Sequence, residues 1–242
     1  MPNETEMNDS NAAKSESLRI KAEYERREIE IEPDLYAPWQ PAEILLISER
    51  KRVAALMLKS LDRFPSVGSR CLEIGYGKLG WLADVLSWGI DETDLHGIEL
   101  DAVRAARAQK ALPQADLKVG DATQLPWRND YFNLVVASTV YSSILDQSVR
   151  EMISKEISRV VSPDGVVILY DMAVGNPQNN SLRAVKYDEV RTMFPDFKCY
   201  FRSVTLAPPI ARAIAKRSWT LAVLLSSLPF LRTHFVAILV KQ

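Results

Sequence analysis

The sequence is short of the residues that build covalent and metal frameworks: two cysteines, Cys71 and Cys199, and two histidines, His96 and His234. Two distant thiols and two histidines make neither a disulfide scaffold nor a zinc cluster, so no metal is expected. A basic excess is also missing. Lys and Arg total 30 against 31 Asp and Glu, which disfavours a dedicated nucleic-acid binder. The first 17 residues hold no apolar core of a secretory signal. The uncharged stretch 218–231 has 14 residues, where a spanning helix needs about 20. These absences lead to the expectation of a cytoplasmic protein in a reducing compartment.

What charge there is falls unevenly. Residues 1–34 carry ten acids and five bases, and lack a core pattern over 1–17. They are expected to form an acidic, partly mobile segment, with a charged helix over 18–29. Residues 197–242 carry seven bases and no acid. A basic tail that also holds Trp219 and Phe230 suits an anionic membrane surface, an anionic substrate, or simply a solvated face. Pro33, Pro38 and Pro41 force an extended crossing around Tyr36 and Trp39. Helical apolar spacing begins after Pro41.

From residue 70 the pattern alternates. Short β-branched runs fall at 70–74, 95–98, 117–119, 134–137 and 166–170, with helical stretches at 79–88, 102–111 and 149–161 between them. Such alternation implies a doubly wound α/β fold: a mostly parallel sheet with right-handed crossovers and helices on both faces. A helix at 182–193 and strands at 198–205 and 234–241 complete seven strands. An N-terminal helical extension precedes the main domain, 35–242, and a helical insertion at about 206–232 precedes the last strand. A connection that long usually carries function or a partner surface.

The first strand runs into Gly75, Tyr76, Gly77, Lys78, Leu79 and Gly80, then a helix. Glycines there let the backbone approach a ligand closely, and the helix start offers free N–H groups. Alone this is a weak dinucleotide pattern. Three acids sharpen it. Glu73 precedes the loop, where a carboxylate suits a cationic ligand and would repel a pyrophosphate. Glu99 ends the second strand, placed to accept both ribose hydroxyls, and Asp121 follows the third, placed to accept an adenine amino group. Together they describe an adenosine with a cationic tail.

LEIGYG (72–77), HGIELDAVRAARAQ (96–109), GDATQLPWRNDYFNLVVAS (120–138) and EISRVVSPDGVVILYD (156–171) resemble the class I S-adenosylmethionine-dependent methyltransferases of the small-molecule type. The resemblance implies a Rossmann-like methyltransferase fold with S-adenosylmethionine as cofactor. It implies that Glu73, Gly75, Tyr76, Gly77 and Gly80 hold the methionine part and that Glu99 takes the ribose. Asp121 and Ala122 would flank the adenine, Leu100 would pack on its face, and Ser138 is a further candidate cofactor contact. Leu79 departs from the family, which commonly has Gly at this position. Past Asp171 the chain resembles a bacterial subgroup with an Asn176-Pro177 segment, often associated with cell-envelope glycan assembly.

Methyl transfer from a sulfonium is an in-line displacement driven chiefly by alignment, so a strong catalytic signature is not expected. Asp171 is the candidate base and Tyr141 the candidate positioning group. Tyr36, Tyr141, Asn176 and His234 are candidate substrate contacts, for a small-molecule or glycan-type acceptor methylated at a hydroxyl. His96 is read as structural. The insertion can cap an apolar acceptor, rest on a membrane or form a homodimer face. Two other readings stay open: a nicotinamide-dependent oxidoreductase, opposed by Glu73 and by the lack of a Tyr-x-x-x-Lys pair, and a non-catalytic cofactor-binding scaffold.

Overall fold

Asp101 and Asp146 each stand just before an apolar helical stripe, and each carboxylate accepts two backbone N–H groups of the turn that follows. Such caps fix where a crossover helix starts. They open α4 (Ala102–Ala111) and α5 (Gln147–Val160). The computed structural model describes residues 4–32, 34–77, 79–176 and 179–242. The other helices are α1 (Glu4–Glu30), α2 (Pro41–Ser60), α3 (Leu82–Ser87), α6 (Tyr187–Met193), α7 (Pro208–Ile214) and α8 (Trp219–Ser226). The strands are β1 (Cys71–Ile74), β2 (Leu95–Glu99), β3 (Asp116–Val119), β4 (Phe132–Ser138), β5 (Val161–Met172), β6 (Phe197–Leu206) and β7 (Arg232–Lys241).

The seven strands lie in the order β3-β2-β1-β4-β5-β7-β6. The pairs among β1 to β5 are parallel, whereas β7 runs antiparallel to both β5 and β6, so the sheet is mixed. β1, β2 and β4 are buried along nearly their whole length, as central strands covered on two faces are. On one face Ile20, Val149, Ile153, Ile157 and Val190 pack on Leu72, Val135, Val167 and Ala237. On the other, Ala54, Leu58, Val85, Ala105 and Ala108 pack on Cys71, Val136, Ile168 and Val236.

Three boundaries differ from the sequence reading. α3 starts at Leu82 rather than 79, because Leu79 (φ +102°) and Gly80 (φ +38°) hold the chain out of the right-handed helical region. α6 starts at Tyr187 rather than 182, since Lys186 is extended. α1 replaces the expected structureless stretch over 1–17 from Glu4 onward, with Ala13, Glu16 and Ile20 buried. Met1, Pro33, Lys78 and Pro177, which figure in the segment, crossing, loop and Asn-Pro readings, lie outside the described residues.

Candidate cofactor site

The carboxyl ends of β1, β2 and β4, the Asp121 loop after β3 and the helix α1 enclose a cavity of about 790 Å³. Its position beyond the carboxyl edge is where open α/β sheets bind ligands. Its size is that of a small-molecule site, roughly 300–1,000 Å³. Of the residues expected to bind cofactor, Gly75, Gly77, Glu99, Leu100, Asp121, Ala122 and Ser138 line it.

Glu99 is buried, yet its two oxygens are both held by backbone. Oε2 accepts the Gly77 N–H at 2.8 Å and Oε1 the Asp101 N–H at 3.1 Å. This carboxylate therefore ties the glycine loop to the end of β2. Gly75 donates its N–H to the Ile98 carbonyl at 2.8 Å, closing the same junction. A Cβ built on Gly77 would meet nothing within 4 Å, so the backbone there faces open cavity. Asp121 Oδ1 accepts the Thr123 N–H at 2.8 Å, and Oδ2 accepts the Ser17 hydroxyl of α1 at 2.5 Å. An ionised carboxylate offers about four acceptor sites, so both acids retain capacity for further donors. Two carboxylates beside an open glycine backbone match a ribose diol and an adenine amino group.

Three of the expected cofactor residues turn away from the cavity. Glu73 is fully buried on the far side of the loop, with Oε1 accepting the Trp81 N–H and Oε2 the Leu82 N–H, each at 2.9 Å. It caps the start of α3. Burial pushes its carboxyl up to about 8, against the opposing pull of those two bonds and of Arg50. Gly80 serves Glu73: a Cβ there would lie 2.1 Å from Glu73 Oε1. Tyr76 is buried over Gly97, where an added Cβ would come 2.4 Å from its Cδ1, and its hydroxyl donates to the Lys118 carbonyl. The objection that Glu73 would repel a pyrophosphate therefore falls away.

The expected catalytic pair is also withdrawn. Asp171 is 1% exposed, its Oδ2 accepting the Ser142 N–H at 3.2 Å and its Oδ1 the Met172 N–H at 2.8 Å. Burial raises it to about 6, with the hydrogen bonds from Ser142 and Met172 and the charge of Arg150 opposing. It joins the end of β5 to the short turn 141–143 and is absent from the cavity wall. Tyr141 is buried with its hydroxyl 2.9 Å from Ser154 Oγ, and burial raises its phenol. His234 stacks on Tyr170 (5.2 Å, 10°) with its imidazole pushed down to about 4 by burial and then by Arg50. Neither His234 nor Asn176 lines the cavity, whereas Tyr36 does. His96 packs edge-on against Trp127, Tyr131 and Phe132 within the fold, as a structural histidine does.

The sequence reading expects a charged helix over 18–29 but not that α1 forms a wall of the cavity. Ser17, Ile20, Tyr24, Arg27, Glu28 and Ile31 line the cavity at helical spacing. Glu16 accepts the Leu145 N–H at 2.5 Å and pairs with Arg19, whose guanidinium also donates to the Ser143 carbonyl. Arg104 of α4 lies over the Tyr24 ring, 3.9 Å from its centroid, and 3.9 Å from Glu28. The signal was present: Ala13, Ile20, Tyr24 and Ile31 recur on one face, submerged among charges.

A fold of this type with acids at the ends of β2 and β3 defines a nucleoside-binding α/β protein. Residues 72–169 match the family model described as a methyltransferase domain. No curated protein sequence matches the chain. Among solved structures, a putative sarcosine dimethylglycine methyltransferase from Galdieria sulphuraria is similar at 13% identity, with 79% of this chain and 84% of that chain covered and a TM-score of 0.59. Geranyl diphosphate C-methyltransferase from Streptomyces coelicolor A3(2), with S-adenosyl-L-homocysteine, is similar at 13% identity over 88% of each chain, TM-score 0.58. The [4+2]-cyclase SpnF is similar at 18% identity, covering 79% and 80%, TM-score 0.56. At such identities the neighbours speak for the fold, and the family match carries the rest. The matched stretch holds the strands β1 to β5 that build the site, and S-adenosylmethionine is the cofactor the site fits.

Proposed function

We propose that the chain transfers a methyl group from S-adenosylmethionine to a small-molecule acceptor entering at the cavity mouth, at a hydroxyl of a small or glycan-type molecule. The observation that carries the reading is the shared cavity wall of Glu99 and Asp121 beside the open Gly77 backbone. Glu99 would take the ribose hydroxyls and Asp121 the adenine amino group, with Leu100 and Ala122 flanking the ring. When bound, the cofactor supplies an electrophilic methyl group on sulfur. The protein's part is to align the acceptor with it and exclude water. Alignment alone is worth up to about 7–11 kcal/mol in favourable cases.

Asp171 and Tyr141 have no place on the wall, so the proposal uses no base from either. At the mouth, Tyr36 and Trp39 offer aromatic faces and Arg27 and Arg107 offer donors. That mixture suits an acceptor with both ring faces and hydroxyls. Titration calorimetry with S-adenosylhomocysteine and with nicotinamide dinucleotides separates the oxidoreductase reading, and labelled methyl transfer into a fractionated small-molecule extract tests turnover. Heat only from the dinucleotides overturns the cofactor assignment. Tight cofactor binding with no label transferred to any fraction favours a non-catalytic scaffold.

A further inference from the structure

Short surface helices normally show solvent a polar face, and α8 does not. Ala222 turns inward onto Leu46, Leu206 and Ala211, with Leu225 packed against that cluster. Yet Trp219, Leu221, Val223 and Leu224 all remain exposed, Leu224 at 60%, and Phe230 just beyond reaches 79%. Large apolar side chains gathered on so short a segment mark an interaction surface.

Charge chooses the partner. Lys216 and Arg217, exposed in the turn that leads into α8, make no ion pair among the described residues, while Arg212 and Arg232 face Glu43 and Glu49 at 3.9 and 3.8 Å. The whole stretch 197–242 contains no acid. A second copy meeting this face about a two-fold axis would set these bases against themselves. An anionic lipid surface meets the bases with opposite charge and accepts the tryptophan, phenylalanine and leucines beneath its headgroups. Among the described residues no helix is long and apolar enough to cross a membrane, so the contact is peripheral.

We infer that the α7–α8 insertion docks this protein on anionic membrane surfaces through Trp219, Leu221, Leu224 and Phe230, with Lys216 and Arg217 at the headgroups. The inference stands apart from methyl transfer. The insertion also adjoins the cavity mouth, since the Arg212 guanidinium lies 5.2 Å from the centroid of the Tyr36 ring. Docking would thus hold that mouth near the lipid interface.

The test is co-sedimentation of the full chain with vesicles of phosphatidylcholine alone and with phosphatidylglycerol added, paired with sedimentation velocity without lipid. The expected result is at least tenfold stronger partitioning onto the anionic vesicles, weakened by high salt. Leu224→Glu with Phe230→Glu should lower it tenfold or more. Lys216→Gln with Arg217→Gln, outside the apolar contacts, should lower it several-fold with the fold and cofactor affinity unchanged. Equal partitioning onto both vesicle types, or anionic binding unaltered by the Lys216 and Arg217 pair, overturns the inference. So does a lipid-independent dimer that Leu224→Glu dissociates.

Discussion

The Ser17 hydroxyl donates to Asp121 Oδ2 at 2.5 Å, joining the middle of α1 to the acid placed to read adenine, 104 positions along the chain. One helix therefore closes the cavity and touches a binding group within it. Glu16, on the neighbouring position, fastens the same turn of α1 to the Leu145 N–H.

This latch makes α1 the element most sensitive to small changes. A hydrogen bond to a charged group contributes about 1.5–3 kcal/mol, so removing the Ser17 hydroxyl should let α1 open more often. Ser17→Ala is expected to speed backbone hydrogen exchange over 9–30 by about tenfold in the ligand-free protein, leaving β4 and β5 protected. Unchanged exchange in α1 would show that Ser17 does not hold it.

Leu79 occupies a conformation that glycine favours, at φ +102°, and packs its side chain against the α2–α3 face of the core. Strain and packing oppose each other at this position. Leu79→Ala keeps the strain and loses the packing, whereas Leu79→Gly loses the packing and the strain. The glycine variant is expected to be more stable than the alanine variant by about 1 kcal/mol, the reverse of the usual order. Denaturant melts of the two would decide it; alanine as the more stable variant would refute the strain.

Glu73 gives stability a pH dependence. Its folded carboxyl is raised to about 8 by burial, above its unfolded value. The folded state thus holds the proton more tightly, and stability falls as pH rises from the unfolded value through about 8. Asp171, raised to about 6, acts the same way at lower pH, and His234, lowered to about 4, acts oppositely below the usual histidine range. Glu73 accordingly dominates between about 6.5 and 8. Urea melts should lose stability across that window, and Glu73→Gln should flatten the loss while lowering stability at pH 6 by removing one cap to α3. A variant that keeps the wild-type slope would assign it elsewhere.

The parts of the site legible in sequence were those set by chain order. Gly75, Gly77, Glu99 and Asp121 each lie at a strand's carboxyl end or within three residues of it, and that edge of a parallel sheet leads to only one place. What order does not give is the direction of a side chain at that edge. Glu73 and Asp171 also sit at strand ends, but on opposite faces of the sheet, where each finds backbone N–H groups and turns inward to cap them. Tyr141 was misread for the same reason, its hydroxyl satisfied by Ser154 inside the core. The cavity-facing side of α1 escaped because it sets Ser17, Arg27 and Glu28 among Ile20 and Tyr24, which blurs the apolar stripe. Its remaining faces carry the acids and bases that read as a solvated segment.

The central claim is that Glu99 and Asp121 together hold the nucleoside. Titration calorimetry of S-adenosylhomocysteine into Glu99→Ala and Asp121→Ala, each checked for native melting, tests it most directly. Both variants are expected to bind at least tenfold more weakly than the parent, since each leaves ligand donors unpaired in the cavity. Parent-like affinity in both folded variants would contradict the assignment and place the nucleoside elsewhere on the molecule.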